Sequence, residues 1–181
     1  ELNAADLPAA SWVNSHLEYT HGTGMAIAKA NEVQPNGSPT FSVGGVPPAS
    51  SGGLPTIEQS GVFFALNNPG YVVANTKQPE LDYQTPAGVN VENHYRGTGG
   101  VKINGLLRRA AFALRLGDFN LLISNLVTDQ SRIMFVRDVQ VMASKAAPFL
   151  SFDADPYSVL VGGRIKWVLD GYTTSSRYPY S

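Results

Sequence analysis

The chain has 181 residues and is 43% hydrophobic, enough to bury a real core in one domain or a large part of one. Only 15% of residues are charged, and 13 Lys plus Arg against 14 Asp plus Glu leave a net charge of −1. That balance does not favour nucleic acid or an anionic membrane surface as a partner. With no cysteine there is no disulfide framework and no thiolate metal site.

No stretch approaches the ~18 consecutive apolar residues of a membrane-spanning helix, and no signal peptide is visible. A chain that opens on Glu1 rather than Met reads as a piece of a longer protein.

Asp6-Leu7-Pro8 reads as a helix start, with a capping carboxylate and a proline in the first turn, where its missing N–H costs nothing. Trp12, Val13, His16 and Leu17 follow at helical spacing, and Gly22 and Gly24 end the element. Met25 to Val33 fits a short strand or a turn of helix equally well. Gln34 to Gly70 holds 7 of the 18 glycines and 6 of the 12 prolines, so long surface loops are expected there. A short strand near Thr40 to Val43 fits within it. Phe41, Val43, Val46, Leu54 and Ile57 recur through the region, which points to a covering loop rather than disorder.

Gly61 to Leu66 and Tyr71 to Thr76 are strand-like, and Asn67-Asn68-Pro69-Gly70 between them has turn chemistry, which predicts a hairpin. Gln78 to Gly100 reads as polar and extended. Asn104 can cap a helix to about Leu116, with Leu107, Ala110, Ala111 and Leu114 on its core-facing stripe. Asp118 is placed to cap a short apolar helix through Val127. A third helix starts between Ser131 and Asp138 and runs to Ala147, with Val136, Val139, Ala143 and Ala146 on one side.

The clearest hairpin comes last. Ser158 to Val161 and Arg164 to Asp170 flank Gly162-Gly163, a pair suited to a two-residue turn with positive φ at both positions. That turn sets Val161 opposite Arg164, Leu160 opposite Ile165 and Ser158 opposite Trp167. Leu160, Ile165, Trp167 and Leu169 then share the buried face. The fold class is therefore α+β: two β-hairpins of antiparallel sheet, a segregated block of about three helices, and long Gly/Pro-rich loops.

Several segments resemble a known family. They are Ser11-Trp12-Val13-Asn14, Tyr19-Thr20-His21-Gly22, Val73 to Lys77, Ser131-Arg132-Ile133, Ala147-Pro148-Phe149-Leu150, Asp153 to Tyr157, Trp167 to Thr173 and Tyr178-Pro179-Tyr180-Ser181. Together and in order they resemble the extracytoplasmic region of the uncharacterised multi-pass membrane proteins numbered 0182 in the UPF series, found in actinobacteria, clostridia and cyanobacteria. The family often carries a further aromatic where Thr23 stands, and alanine is common at Gly171. The resemblance implies that the chain covers the first part of that region, residues 1–181 forming one domain or the N-terminal part of a larger one cut at its C-terminus. It implies a place on the outer side of the cell membrane, tied to the membrane spans of the parent protein. It implies no reaction.

Candidate sites follow from residue chemistry. His16 and His21, with Asp153 and Asp155, are the side chains that could do acid–base work, as in a cell-envelope hydrolase acting on lipid or glycan. No G-x-S-x-G or H-E-x-x-H frame supports them, and ordinary structural roles compete: helix-end histidines bonded to backbone, and aspartates forming a local turn. Asp153 and Asp155 are also the candidate ligands for a Ca²⁺ ion, which would need at least a third oxygen-bearing side chain. Tyr172, Arg177, Tyr178 and Tyr180 form an aromatic tail suited to sugar or protein contacts. The reading that follows is a non-catalytic binding or assembly module of the cell envelope, with lipid, glycan or protein as partner and no nucleic acid.

Overall fold

The computed structural model describes residues 11–177, and the Asp6-Leu7-Pro8 helix start, Tyr178 and Tyr180 lie outside them. The architecture is α+β, with several small antiparallel sheets and short helices. The described residues form two compact units, one from residues 11–23 and 70–135 and the other from residues 24–69 and 136–177.

The first unit begins with a helical turn at Trp12 and Val13 that widens over Asn14–Glu18. There the Tyr19 N–H reaches back five residues to the Asn14 carbonyl (2.9 Å). Such π-type turns rotate side chains out of the α-helical register and recur at functional sites. Here the turn points Leu17 into the core and His16 onto Tyr71.

A three-stranded antiparallel sheet places Arg132–Met134 between Val72–Ala74 and Val101–Lys102. Val72, Val73 and Ala74 are all buried, the pattern of a strand covered on both faces. This corrects one expectation. Tyr71 to Thr76 does not pair with Gly61 to Leu66; its partner is the distant Arg132–Met134, with Ile133 opposite Val73. Arg132–Met134 is extended, so the helix expected to start between Ser131 and Asp138 starts at the Asp138 end of that range. A run buried on both faces needs a partner supplied by tertiary packing, which a local turn signal does not specify.

Glu80–Gln84 and Asn90–Asn93 form a hairpin that the sequence reading passed over as merely extended. Thr85-Pro86-Ala87-Gly88 closes it, with the Gly88 N–H bonded to the Thr85 carbonyl (2.8 Å). The pairing skips one residue at Asp82, a bulge that re-aims that side chain.

Helix α1 spans Leu106–Leu116 and helix α2 spans Asn120–Ile123. The cap of α1 is Gly105, whose N–H is held by the Asp129 carboxylate (3.0 Å), while Asn104 accepts from Arg108 instead. The helical period was correct and the buried face was not. Leu107 and Leu114 are 88% and 82% exposed, whereas Ala113 is buried with Phe112 and Leu116 packed beside it. Arg109 and Phe112 fix this rotation. Arg109 donates to the Val127 carbonyl (2.7 Å), and Phe112 packs on Phe135 with ring centroids 5.4 Å apart. α2 is shorter than the helix expected through Val127, because Ser124 is already extended; Asp118 does accept from the Asn120 N–H (3.0 Å). The core of this unit is Leu17, Tyr71, Val73, Ile103, Ala113, Leu121, Val127 and Ile133.

The second unit holds the three-stranded sheet Ile27–Val33, Pro39–Gly44 and Ala49–Ser50. Helix α3, Val139–Ala146, is capped by the Asp138 carboxylate, which accepts from the Val141 N–H (2.9 Å). The hairpin Tyr157–Val161 with Arg164–Val168 has the register expected from its turn, with φ of +57° at Gly162 and +71° at Gly163. The Trp167 indole N–H donates to the Phe64 carbonyl (2.9 Å), satisfying the one polar atom of that half-buried side chain. Arg137 is buried and donates to the Phe63 carbonyl (3.0 Å), and burial lowers its pKa to about 10.

Candidate functional site: a buried histidine between two carboxylates

The densest polar cluster of the first unit forms where the N-terminal segment meets the 80–93 hairpin. His21 presents Nδ1 to Glu80 Oε2 at 3.7 Å and Nε2 to Asp82 Oδ1 at 3.5 Å. Its side chain is fully enclosed, and Glu80 is 1% exposed. Thr20, also buried, donates its hydroxyl proton to Glu80 (3.1 Å), which leaves its oxygen to accept from His21 Nδ1 at 2.9 Å. Thr23 donates to both the backbone carbonyl (2.5 Å) and the carboxylate (3.2 Å) of Asp82. The Asn75 N–H completes the Glu80 shell at 2.9 Å.

Burial raises the Glu80 pKa. The donors from Asn75, Thr20 and the Tyr95 backbone, and the charge of His94, offset only part of that. Glu80 and Asp82 stand two apart on one strand, the spacing that a regular strand would place on one face, although the bulge at Asp82 interrupts the alternation here. That spacing was the readable signal for these two residues, which sequence reasoning did not single out.

His16 belongs to a second cluster in the same unit. Its Nδ1–H donates to the Tyr71 carbonyl (2.7 Å), and its ring stacks on the Tyr71 ring at 4.1 Å and 7°. The Tyr71 hydroxyl donates to Asp118 Oδ2 (2.5 Å), and the Trp12 indole N–H reaches both the same oxygen (2.8 Å) and the Tyr71 hydroxyl (2.9 Å). Burial first, and then the Asp118 carboxylate, hold the Tyr71 hydroxyl well above its ordinary pKa. Burial pulls Asp118 upward too, but donors from Tyr71, the Asn120 backbone and Trp12 outweigh it and hold Asp118 below the usual carboxylate range. Hydrogen bonds to a charged group contribute roughly 1.5–3 kcal/mol each, so this triad is a strong clamp between the N-terminal turn and the α1–α2 junction.

In the second unit, Asp153 accepts from the Ala154 N–H (2.6 Å), and its own N–H donates to the Asp170 carbonyl (2.9 Å). The Asp153 carboxylate thus bonds the adjacent backbone while its N–H continues the Ser151–Phe152 pairing, and the neighbouring Asp155 is exposed. Among the described residues no group of three or more His, Asp or Glu side chains is arranged to hold a metal ion. Tyr172 lies on the short strand Gly171–Tyr172 opposite Ser151 and is 55% exposed, and Arg177 is also exposed. Of the four acid–base candidates, His16 and His21 thus fall in the first unit with partners of their own, and Asp153 and Asp155 in the second.

The profile of the uncharacterised protein family UPF0182 matches residues 1–181. The chain belongs to the UPF0182 family. It is 45% identical over 184 residues to a UPF0182 protein of Frankia alni, covering 100% of this chain and 18% of that protein. UPF0182 proteins of Cupriavidus necator and Desulforamulus reducens are 42% and 40% identical over 184 residues, again over 100% of this chain and 20% of theirs. The relatives are thus not confined to actinobacteria, and the chain spans about a fifth of their length. No solved structure matches it. No described helix is long and apolar enough to cross a membrane.

Proposed function

We propose that this UPF0182 chain is a binding and assembly module within the extracytoplasmic part of a larger multi-pass membrane protein. The observation that carries the non-catalytic reading is what the histidines do. His16 is spent on a backbone carbonyl and a ring stack, and His21 is enclosed with Glu80, Asp82 and Thr20. A general acid or base must come within hydrogen-bond reach of a substrate, and an enclosed side chain does not. The outer surface offers the opposite. Phe149 is 74% exposed and Tyr172 55% in the second unit, and apolar side chains of that size on a surface suit contact with a partner. The membrane setting is supported by the resemblance, which runs in order along the whole chain.

The test is site-specific photo-crosslinking in cells that express the parent protein, with the photoreactive residue in place of Phe149 or Tyr172. Adducts to another part of the parent protein or to an envelope component are expected, and none from Ala87 in the exposed hairpin turn. Absence of adducts from both positions would contradict the module. So would hydrolysis of lipid or glycan that His21→Gln abolishes without changing the melting curve.

A further inference from the structure

Helix α1 carries two apolar stripes, and only one of them is used by the core. Ala113, Phe112 and Leu116 face inward. Leu107, Ala111 and Leu114 recur at i, i+4 and i+7 on the side turned away. Beyond the α1 turn, Phe119 and Ile123, four apart on the next helical segment, are 69% and 75% exposed. Side chains this exposed protrude; they do not line a groove that would receive a partner's helix.

The charges beside them are mostly of one sign. Residues 101–127 contain Lys102, Arg108, Arg109 and Arg115 against a single carboxylate, Asp118. Asp118 is spent on Tyr71, Trp12 and the Asn120 N–H. Arg108 and Arg115 are both exposed and seven apart, so they flank the leucines along one edge of the helix. The near-zero net charge of the whole chain conceals this local excess. Protruding Leu, Phe and Ile beside a net excess of Arg and Lys, with Asp129 held by the Gly105 N–H and lying 3.9 Å from Arg109, is the composition of an interfacial helix that lies in the headgroup layer of a bilayer. A second copy of the same face is disfavoured, because it would set arginines against arginines.

We infer that the outward face of α1 and α2 (Leu107, Leu114, Phe119 and Ile123, edged by Arg108 and Arg115) docks on an anionic lipid surface. The inference deepens the module reading by naming one partner, and rests on it for the setting. Each exposed leucine inserts its hydrocarbon, and each arginine near the surface adds electrostatic attraction that salt screens.

The experiment is co-sedimentation of the 181-residue chain with vesicles of phosphatidylcholine and phosphatidylglycerol in equal parts, against vesicles of phosphatidylcholine alone. Binding to the mixed vesicles should be at least ~10-fold tighter and should weaken as salt is raised. Leu107→Ser with Leu114→Ser, and separately Arg108→Gln with Arg115→Gln, should each lower it by about 10-fold or more. All four positions are exposed, but Arg108 bonds Asn104 and Arg115 lies over the Phe135 ring, so a thermal melt checks that each variant is folded at the assay temperature. No binding to either vesicle, or binding that ignores both double substitutions, overturns the inference. So does dimerisation in solution that the leucine pair abolishes, since the face would then belong to a second copy. Each of these failures leaves crosslinking from Phe149 and Tyr172 as an independent reading of the module.

Discussion

Glu80 shows how one side chain ties a hairpin to the rest of the first unit. It sits at the start of the hairpin and accepts from Asn75 and Thr20, with His21 and Asp82 beside it. Burial makes the charged form costly, and the donors recover only part of that cost. The folded chain therefore binds this proton more tightly than the unfolded chain does. The stability this contributes is complete below the unfolded carboxylate value of about 4.3 and is lost as pH rises through the raised folded value. Glu80→Gln removes the titration. In urea melts, the parent should therefore lose stability relative to Glu80→Gln on going from acid to neutral pH. A parent advantage that grows with pH would show that Glu80 titrates below its ordinary range in the fold. Asp118 works in the opposite sense, because its depressed pKa adds stability that disappears only as pH falls through the folded value. Sequence reading identified His16 and His21 as chemically notable but not their partners. Tyr71 lies 55 residues from His16 and Glu80 lies 59 from His21, and no local pattern joins residues that far apart.

At the scale of elements, what could be read was what local chemistry decides. Gly162-Gly163 fixed both the turn and the register of its hairpin, because two positive φ angles admit one pairing. Asp138 capping α3 follows the same logic. Elements set by distant contacts were misread. Val72–Ala74 pairs with Arg132–Met134 because all three residues are buried, not because a turn precedes it. The face of α1 was misassigned because the helix carries two apolar stripes, and the choice between them is made by Phe112 against Phe135 and Arg109 against Val127. Gly100 shows how closely the three-stranded sheet of the first unit is built. Its φ is +71°, and a Cβ there would stand 2.8 Å from the Ile133 carbonyl oxygen, a backbone atom with little room to yield. Gly100→Ala should cost about 3 kcal/mol, combining left-handed strain with displacement of a sheet strand. The midpoint of urea unfolding, read by tryptophan fluorescence, checks this. A loss below ~0.5 kcal/mol, the range of neutral surface changes, would mean that the segment moves aside without cost.

At the scale of the molecule, chemistry is turned inward and adhesion outward. In the first unit the His21 side chain is enclosed and His16 is half-buried against Tyr71, while Leu107, Leu114, Phe119, Ile123, Phe149 and Tyr172 stand on the surface. A chain that matches about a fifth of its relatives' length, with this much apolar surface, is suited to work as part of a larger assembly. The proposed place of this work is the outer side of the membrane. The absence of cysteine from the 181 residues makes the direct measurement simple. Ala87, exposed in the hairpin turn, is replaced by cysteine in the parent protein, and intact cells are treated with a membrane-impermeant maleimide. The account predicts labelling of Ala87→Cys in intact cells, above the parent protein without the substitution. Labelling that appears only after the cells are permeabilised would place the module on the inner side and contradict it.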